Sequence, residues 1–555
     1  MSSSEGEEDN ELYANLDSSD SSASDSEEEI TSSDEEDGDE SLRGARRWYQ
    51  LPVDNLQPAP PPFPFTGDPG LSILGNVSEM NPLDFFSLFI TDELVDLVCR
   101  ETNKFATQTA ARDVNWRPVT SSEMYVFFAL NMLGGIIKTP DLEMQWSKHH
   151  LLQQPIYGSI MPLKRYLKIK QYLHFVDNQT YDEENHPNPK LHKIYDVYSM
   201  LQEKFQSVYT PERDVSIDES LMLYKGRLGW VQYIPMKRSR FGIKYYMLCE
   251  SSSGYVWKFM IYVGKGTQIS QEYPNLNMAA QIVMDLMKPL LRKGYRLTID
   301  NFYTYPELVD ILVQNYTDVL GTIRLNRKQL PDKFKKEKLK KGQVRAVQRG
   351  KVMALRWRDK KDVAMISTVH NPAMVDVSTP RQEKIKPQVV VDYNFTMGGV
   401  DKVDQHMVDY PIPRKRGKKY YKKVFFHLMD LALWNSYLLY VKSFENLEEP
   451  TSSQLTHLKY RLELIDSLIR KHHPEIPRAR VGRPSTPHPT RGSSGHYPMD
   501  VPATEKKKFP TRKCAQCAKK RDGNGKKVRK ETRYLCKICQ VPLCVTPCFE
   551  AYHTE

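Results

Sequence analysis

Val215-Ser216-Ile217-Asp218 and, further along, Leu297-Thr298-Ile299-Asp300 are two short apolar stretches that end in the same way. With the two-residue period of a β-strand, Val215 and Ile217 share one face, as do Leu297 and Ile299, and each aspartate falls on the opposite face. A single Asp at such a place is ordinarily a turn or helix-cap residue. A buried or half-buried sheet has no structural need for a carboxylate at both. Held close together, two carboxylates repel until a divalent cation neutralises them.

Around these stretches the sequence alternates between the two periods. Residues 213–225, 241–250 and 254–263 are rich in Tyr, Val, Ile and Phe and predict strands. An amphipathic helix follows, carrying Met278, Ile282, Val283, Leu286 and Leu290, with Pro289 placed to kink or end it. A strand at 295–300, a helix at 304–315 and a strand at 318–324 complete the run. Three strands, then helix, strand, helix and strand, is the element order of an RNase H-like α/β domain with a partly parallel sheet. Before it, residues 80–210 show helical spacing (Phe85, Leu88, Phe89, Leu94, Leu97, Val98). After it, a Lys-rich stretch with strand-like pieces (326–388) reads as an inserted domain, and helical periodicity returns from 398 to about 470.

A metal-dependent displacement at phosphorus, with two ions about 3.5 to 4 Å apart bridged by carboxylates, needs a third acid. Tyr393-Asn394-Phe395-Thr396-Met397-Gly398-Gly399-Val400-Asp401-Lys402-Val403-Asp404 supplies the candidate. The Gly pair permits a tight turn into a helix on which Asp401 and Asp404 share a face. First-turn acids favoured by the helix dipole are the alternative use of these two.

Charge is divided along the chain. Residues 1–42 hold 17 of the 69 acidic side chains and no Lys or Arg, which leaves 52 acidic against 79 basic side chains, a net +27, on the rest. Such an excess favours a polyanionic partner. Residues 1–65, acidic low complexity followed by the proline run Pro58 to Pro64, are expected to be disordered. No apolar leader is seen at the start, so secretion is not expected, and Tyr125 to Ile137, the most apolar stretch, is too short to span a bilayer. The run Pro413-Arg414-Lys415-Arg416-Gly417-Lys418-Lys419-Tyr420-Tyr421-Lys422-Lys423 joins phosphate-neutralising cations to two aromatics that can stack on unpaired bases; it also suits a nuclear-import signal. Arg324, Arg327 and Lys328 are further candidates for phosphate contacts.

Six of the eight cysteines crowd into the C-terminal 511–555 segment, beyond a Pro/Arg/Ser/Gly linker at 476–510. Cys514, Cys517, Cys536, Cys539, Cys544, Cys548 and His553 form two CxxC knuckles and a tail, a zinc pattern rather than a disulfide framework. Two closed tetrahedral sites need eight ligands, and the pattern offers seven, so the pairing and the zinc count stay open.

The strings SIDESLMLYKGR (216–227), TIDNFYT (298–304), GTIRLNRK (321–328) and MGGVDKVDQ (397–405), in this order and with a Cys-rich tail, closely resemble piggyBac transposases over about residues 80 to 555. The resemblance implies catalytic, Mg2+- or Mn2+-binding aspartates at Asp218, Asp300 and Asp401, two ions per active site, with Asp404 as an accessory acid. It implies that 211–325 and 389–410 form the catalytic core, that 326–388 is the family's insertion, and that 80–210 and 411–475 together build a dimerisation and DNA-binding domain. It also implies a tail that holds two zinc ions. The implied activity is a nuclear, homodimeric DNA transposase that excises and integrates at TTAA through hairpin intermediates on double-stranded terminal repeats, with no membrane partner. The alternative is a domesticated DNA- or chromatin-binding protein that no longer transposes.

Overall fold

The alternation that ends in Asp218 and Asp300 builds two strands that lie side by side. The computed structural model describes residues 47–72, 77–109, 116–235, 240–270, 272–377, 384–414, 417–445, 454–473, 496–523 and 525–554, which fall into two compact units dividing after residue 476. The first unit contains a ten-stranded sheet: β1 (Tyr49–Leu51), β2 (Asp214–Leu223), β3 (Gln232–Tyr233), β4 (Phe241–Glu250), β5 (Val256–Ile261), β6 (Arg296–Ile299), β7 (Asp318–Thr322), β8 (Val344–Arg349), β9 (Val352–Arg358) and β10 (Asp362–Ser367). The strand order is β1-β8-β9-β10-β7-β6-β2-β4-β3, with β5 also paired to β4. Strands β2, β6 and β7 are parallel neighbours, and the remaining pairs are antiparallel. The expected mixed α/β, RNase H-like arrangement is present, and the three strand-like pieces of 326–388 extend the same sheet by pairing β10 with β7.

Helices α1 (Pro82–Ser87), α2 (Asp92–Thr109), α3 (Ser121–Ile136), α4 (Leu163–Tyr172) and α5 (Tyr195–Ser207) precede the central strands, and α6 (Met278–Met287) and α7 (Pro306–Gln314) connect them. Pro289 falls in a short 3-10 turn just after α6, so it ends that helix rather than kinking it. Four more follow the sheet: α8 (Gln388–Thr396), α9 (Gly399–His406), α10 (Tyr420–Glu445) and α11 (His457–His472). Helices from the two ends of the unit pack together, α1 on α10 and α11, and α3 on α11. Helix α3 is buried on every side from Met124 to Gly135. Helix α10 is long and apolar enough to cross a membrane by composition, but 89% of that stretch is buried inside the fold.

One apolar cluster runs from Phe85 through the sheet to Ile469, and a second, including Leu51, Leu320, Leu355, Trp357 and Val389, holds the β1-to-β7 side. The disorder expected for residues 1–65 does not extend to their end. Residues 1–46 lie outside the described residues, but residues 47–65 dock on the sheet unit: β1 pairs with β8, the Phe63 amide donates to Asp318 Oδ2 (2.9 Å), and Asn371 Nδ2 donates to the Gln57 carbonyl (2.9 Å). Lys351 Nζ lies 4.2 Å from the centre of the Phe63 ring, and Phe65 meets Tyr295 edge to face. A proline-rich segment has few amide donors to satisfy, so one amide, a few carbonyls and its aromatic rings are enough to dock it.

The second unit is small. Its paired strands are Pro498–Asp500 with Tyr534–Cys536 and Arg512–Lys513 with Glu531–Thr532, and helix α12 (Cys548–Thr554) closes it. Its buried cluster is Cys514, Cys517, Leu543, Cys544 and Cys548, so four of its five members are cysteines.

Candidate active site and zinc module

Strands β2 and β6 are in parallel register with Ile217 opposite Ile299, so Asp300, the first residue beyond β6, comes out beside Asp218, which lies in the middle of β2, a strand that runs on to Leu223. The crevice beyond the C-terminal ends of parallel strands is where open α/β sheets bind ligands. Backbone amides fix both side chains: Glu219 N–H donates to Asp218 Oδ1 (2.7 Å) and Phe302 N–H to Asp300 Oδ1 (2.9 Å). Thr304 Oγ1 donates to the Asp300 carbonyl (2.6 Å), which closes the turn after β6.

Asp401 arrives on α9, which lies on β2 and β4. Gly399 is what lets it approach. A Cβ there would sit 2.5 Å from Ser216 Oγ and 3.0 Å from the Glu250 carbonyl. Gly398 has φ −71°, so the glycine pair serves close packing at Gly399 rather than a left-handed turn. Lys402 Nζ donates to the carbonyls of Ser251 (3.0 Å) and Ser252 (2.6 Å), and Ser220 Oγ donates to Asp404 Oδ1 (2.5 Å), tying the helix to the sheet on both sides. Asp404 is thus held as a neighbour of the site.

Two residues that the sequence did not single out complete the surroundings. Burial and the charges of Asp300, Asp218 and Asp401 push the Tyr393 phenol well above its ordinary range, and Thr322 is its hydrogen-bond partner. Glu219 accepts from Tyr303 Oη (2.7 Å) and pairs with Lys244 Nζ (3.3 Å). Burial and the Glu219 charge push the Asp300 carboxyl up to about 6, against the amides of Phe302 and Tyr303 and the Arg324 guanidinium. A carboxylate that ionises reluctantly when alone is one that a divalent cation would relieve. The three aspartates do not all bring a carboxylate oxygen to within 4.8 Å of one another.

The candidate DNA contacts divide. Arg324, Lys328, Lys418 and Lys419 are exposed, and Arg324 Nε donates to Asn301 Oδ1 (3.0 Å) beside Asp300. Lys415 and Arg416 lie outside the described residues. The others are drawn into the fold. Arg414 pairs with buried Asp430, Tyr421 is buried against Phe175, and Lys422 Nζ donates to the carbonyls of Lys170 (2.8 Å) and Gln171 (2.7 Å) at the end of α4. Tyr420 Oη donates to the Lys190 carbonyl (2.8 Å), Lys423 Nζ sits 5.2 Å from the Tyr224 ring centre, and Arg327 stacks on Tyr305 at 3.6 Å. The sequence could not show this because α10 begins at Tyr420, and its apolar pattern takes the adjoining aromatics inward.

In the second unit the ligands sort into two groups of four: Cys514, Cys517, Cys544 and Cys548, and His496, Cys536, Cys539 and His553. His496, inside the linker-like segment, is the ligand that the seven-residue pattern lacked. In the first group Cys517 Sγ lies 3.4 Å from Cys548 Sγ and 4.0 Å from Cys544 Sγ, and the Cys514 sulfur accepts amides from Cys517 (3.5 Å) and Cys544 (3.4 Å). Burial opposes ionisation of Cys514, but these amides bring its thiol down to about 7; burial and the neighbouring thiols push Cys548 up to about 12. In the second group His496 Nδ1 lies 3.3 Å from Cys536 Sγ and 3.2 Å from Cys539 Sγ, and His553 presents Nε2 to Cys539 Sγ (3.8 Å) while its Nδ1 donates to the Phe549 carbonyl (2.7 Å). That second bond orients the ring as a metal ligand is usually oriented. None of the eight cysteines is in a disulfide, and one buried group of four thiols beside one half-buried group of two thiols and two imidazoles fits zinc. The two groups interleave along the chain, so each knuckle belongs to a different site.

Comparison with known proteins agrees with this geometry. A family model described as Transposase IS4 matches residues 81–437, and one described as a DDE_Tnp_1-like zinc finger matches residues 494–554. PiggyBac transposable element-derived protein 3 of Homo sapiens is 28% identical over 491 residues, 85% of this chain and 76% of that protein. PiggyBac transposable element-derived protein 2 of Homo sapiens is 26% identical over 382 residues, 65% of this chain and 62% of that protein. A cryo-EM structure of the piggyBac transposase synaptic complex with hairpin DNA has the same fold, with a TM-score of 0.64 at 23% identity over 84% of this chain and 97% of that one. With the transposase model spanning well over half the chain and the zinc-finger model fitting its tail, this protein is a member of the piggyBac transposase family.

Proposed function

We propose that the protein is an active DNA transposase that cuts and rejoins double-stranded DNA at Asp218, Asp300 and Asp401. The observation that carries the reading is the parallel register that sets Asp218 of β2 beside the end of β6, where Asp300 follows, with Asp401 on a helix packed on β2 and β4 so closely that position 399 must be glycine. These three carboxylates would hold Mg2+ or Mn2+, two ions per site. Such ions, when bound, activate water or a 3′-hydroxyl and stabilise the leaving oxygen of an in-line displacement. The chain's own residues keep the acids in place: the amides of Glu219 and Phe302 aim two of them, and Lys402 and Ser220 anchor the helix that bears the third.

In this reading the exposed cations Arg324, Lys328, Lys418 and Lys419 bind the phosphates of terminal-repeat DNA, and the exposed Lys526, Lys527, Arg529 and Lys530 let the zinc module grip the same ends. The module carries two zinc ions, one in each group of four. The protein works as a nuclear homodimer and inserts at TTAA after a hairpin step, as its family resemblance implies. A second reading, a transposase-derived DNA-binding protein, is favoured by the names of the human relatives, which are called transposable element-derived.

Labelled duplex carrying the terminal repeats and flanking TTAA separates the two. Incubation with Mg2+ is expected to give nicks and hairpins, and incubation with Ca2+ binding alone. Binding in both ions without a nick in Mg2+ or Mn2+ would establish the binding-protein reading instead.

A further inference from the structure

A third group of ligand-type side chains lies outside both the aspartate site and the cysteine module. His406, Asp409 and His457 bring one ligand atom each to within 4.8 Å of one another. His406 is the last residue of α9, Asp409 lies one turn beyond it, and His457 is the first residue of α11, so two elements far apart in sequence converge here. His406 Nδ1 and Asp409 Oδ2 are 3.0 Å apart, and 41% of each side chain is exposed. His457 is packed by Tyr410 and Tyr437, and its Nδ1 is buried with no hydrogen-bond partner. His406 itself stacks on Trp434 at 4.2 Å, which fixes the ring plane.

An Asp–His contact at i and i+3 explains two of these residues without any ligand. It does not explain a second imidazole, brought in from another helix, with a nitrogen lacking a partner, since buried polar atoms are nearly always satisfied. Two imidazoles and one carboxylate match the preferences of zinc and its first-row neighbours, whereas Mg2+ favours oxygen ligands and retains water. The solvent-facing side leaves room for water to complete the coordination.

We propose that His406, Asp409 and His457 form a binding site for a zinc-class divalent cation that clamps the end of α9 to the start of α11. Helix α9 also carries Asp401 and Asp404, so the clamp would steady the helix that delivers the third catalytic acid. The site's existence does not depend on whether the protein transposes, and its test reads metal alone.

Full-length protein, zinc-loaded through its cysteine module, is equilibrated with added Zn2+, freed of excess ion and assayed for zinc per chain, alongside Asp409→Asn and His457→Gln. Asp409→Asn keeps the shape of a half-exposed side chain and so guards against a folding artefact. The wild type is expected to hold about one zinc more than either variant, and added Zn2+ should raise its melting temperature but not theirs. Equal zinc in all three proteins would overturn the proposal. So would an extra zinc that both variants keep and Asp218→Asn loses, since it would then belong to the aspartate site.

Discussion

In the sheet unit Asp218, Asp300 and Asp401 stand on elements already fixed by apolar packing, with Ile217, Ile299 and Val400 fully buried beside them. In the C-terminal unit the buried cluster is made largely of the ligands themselves, with Leu543 as its other fully buried side chain. On the proposed reading, metal would therefore be an addition to the fold in the first unit and a condition of the fold in the second. The first can build a site that strains its own electrostatics, because the hydrophobic core bears the cost. The second cannot, and each of its two CxxC knuckles depends on its own group of four.

The largest effect that would sharpen this contrast is chelation. Stripping zinc from the full chain is expected to abolish hydrogen-exchange protection over residues 496–554 while protection of β2, β4 and β6 persists. Protection of 496–554 that outlasts complete zinc removal would break the comparison. A narrower version uses one ligand: His496→Ala should lower zinc by about one ion per chain and leave the Cys514 group loaded, as elemental analysis with cysteine-accessibility labelling would record.

Within the sheet unit, Gly399→Ala tests whether packing positions the third acid. Its Cβ would meet Ser216 Oγ at 2.5 Å, so the helix must shift; a loss of about 1–3 kcal/mol in denaturant melts is expected, together with weakened cleavage. Unchanged stability and activity would mean that α9 has slack.

The smallest effect concerns Asp300. Its folded carboxyl lies at about 6, against about 4 in an unfolded chain. The folded state holds that proton more tightly, so stability falls as pH rises from about 4 through about 6, and the cost is complete above that. In metal-free buffer Asp300→Asn should thus stabilise the unit at pH 8, by on the order of 1 kcal/mol, and the gain should vanish below pH 4. A variant less stable than wild type at pH 8 would contradict the assignment of strain to this carboxylate.

What the sequence revealed depended on how local each signal was. The strands around Asp218 and Asp300 and the helix bearing Asp401 were legible because periodicity and the placement of acids are local properties. Tyr393 and Glu219 were not, since their roles exist only once α8 and β2 meet the turn after β6. His496 was hidden in a segment whose Pro, Ser and Gly content reads as linker, with no second ligand nearby to form a knuckle. The proline run at 58–64 was read as disordered because composition registers its lack of donors and not the aromatic rings and carbonyls that dock it. The basic run at 413–423 reads as a DNA-contact or nuclear-import segment, and the sequence does not show that Arg414 pairs with Asp430 of α10, that Tyr421 is buried, or that Lys422 donates to the end of α4.

The central claim is that Asp218, Asp300 and Asp401 are one catalytic unit on a scaffold that folds without them. Strand nicking by Asp218→Asn, Asp300→Asn, Asp401→Asn and the pairwise double variants, on duplex with authentic terminal repeats in Mg2+, tests it most directly. Each single variant is expected to fall to background with folding and Ca2+-supported DNA binding intact, and the doubles to fall no further, because a site lacking one essential ligand is already disabled. A single variant that nicks at the wild-type rate would remove that residue from the unit and contradict the account.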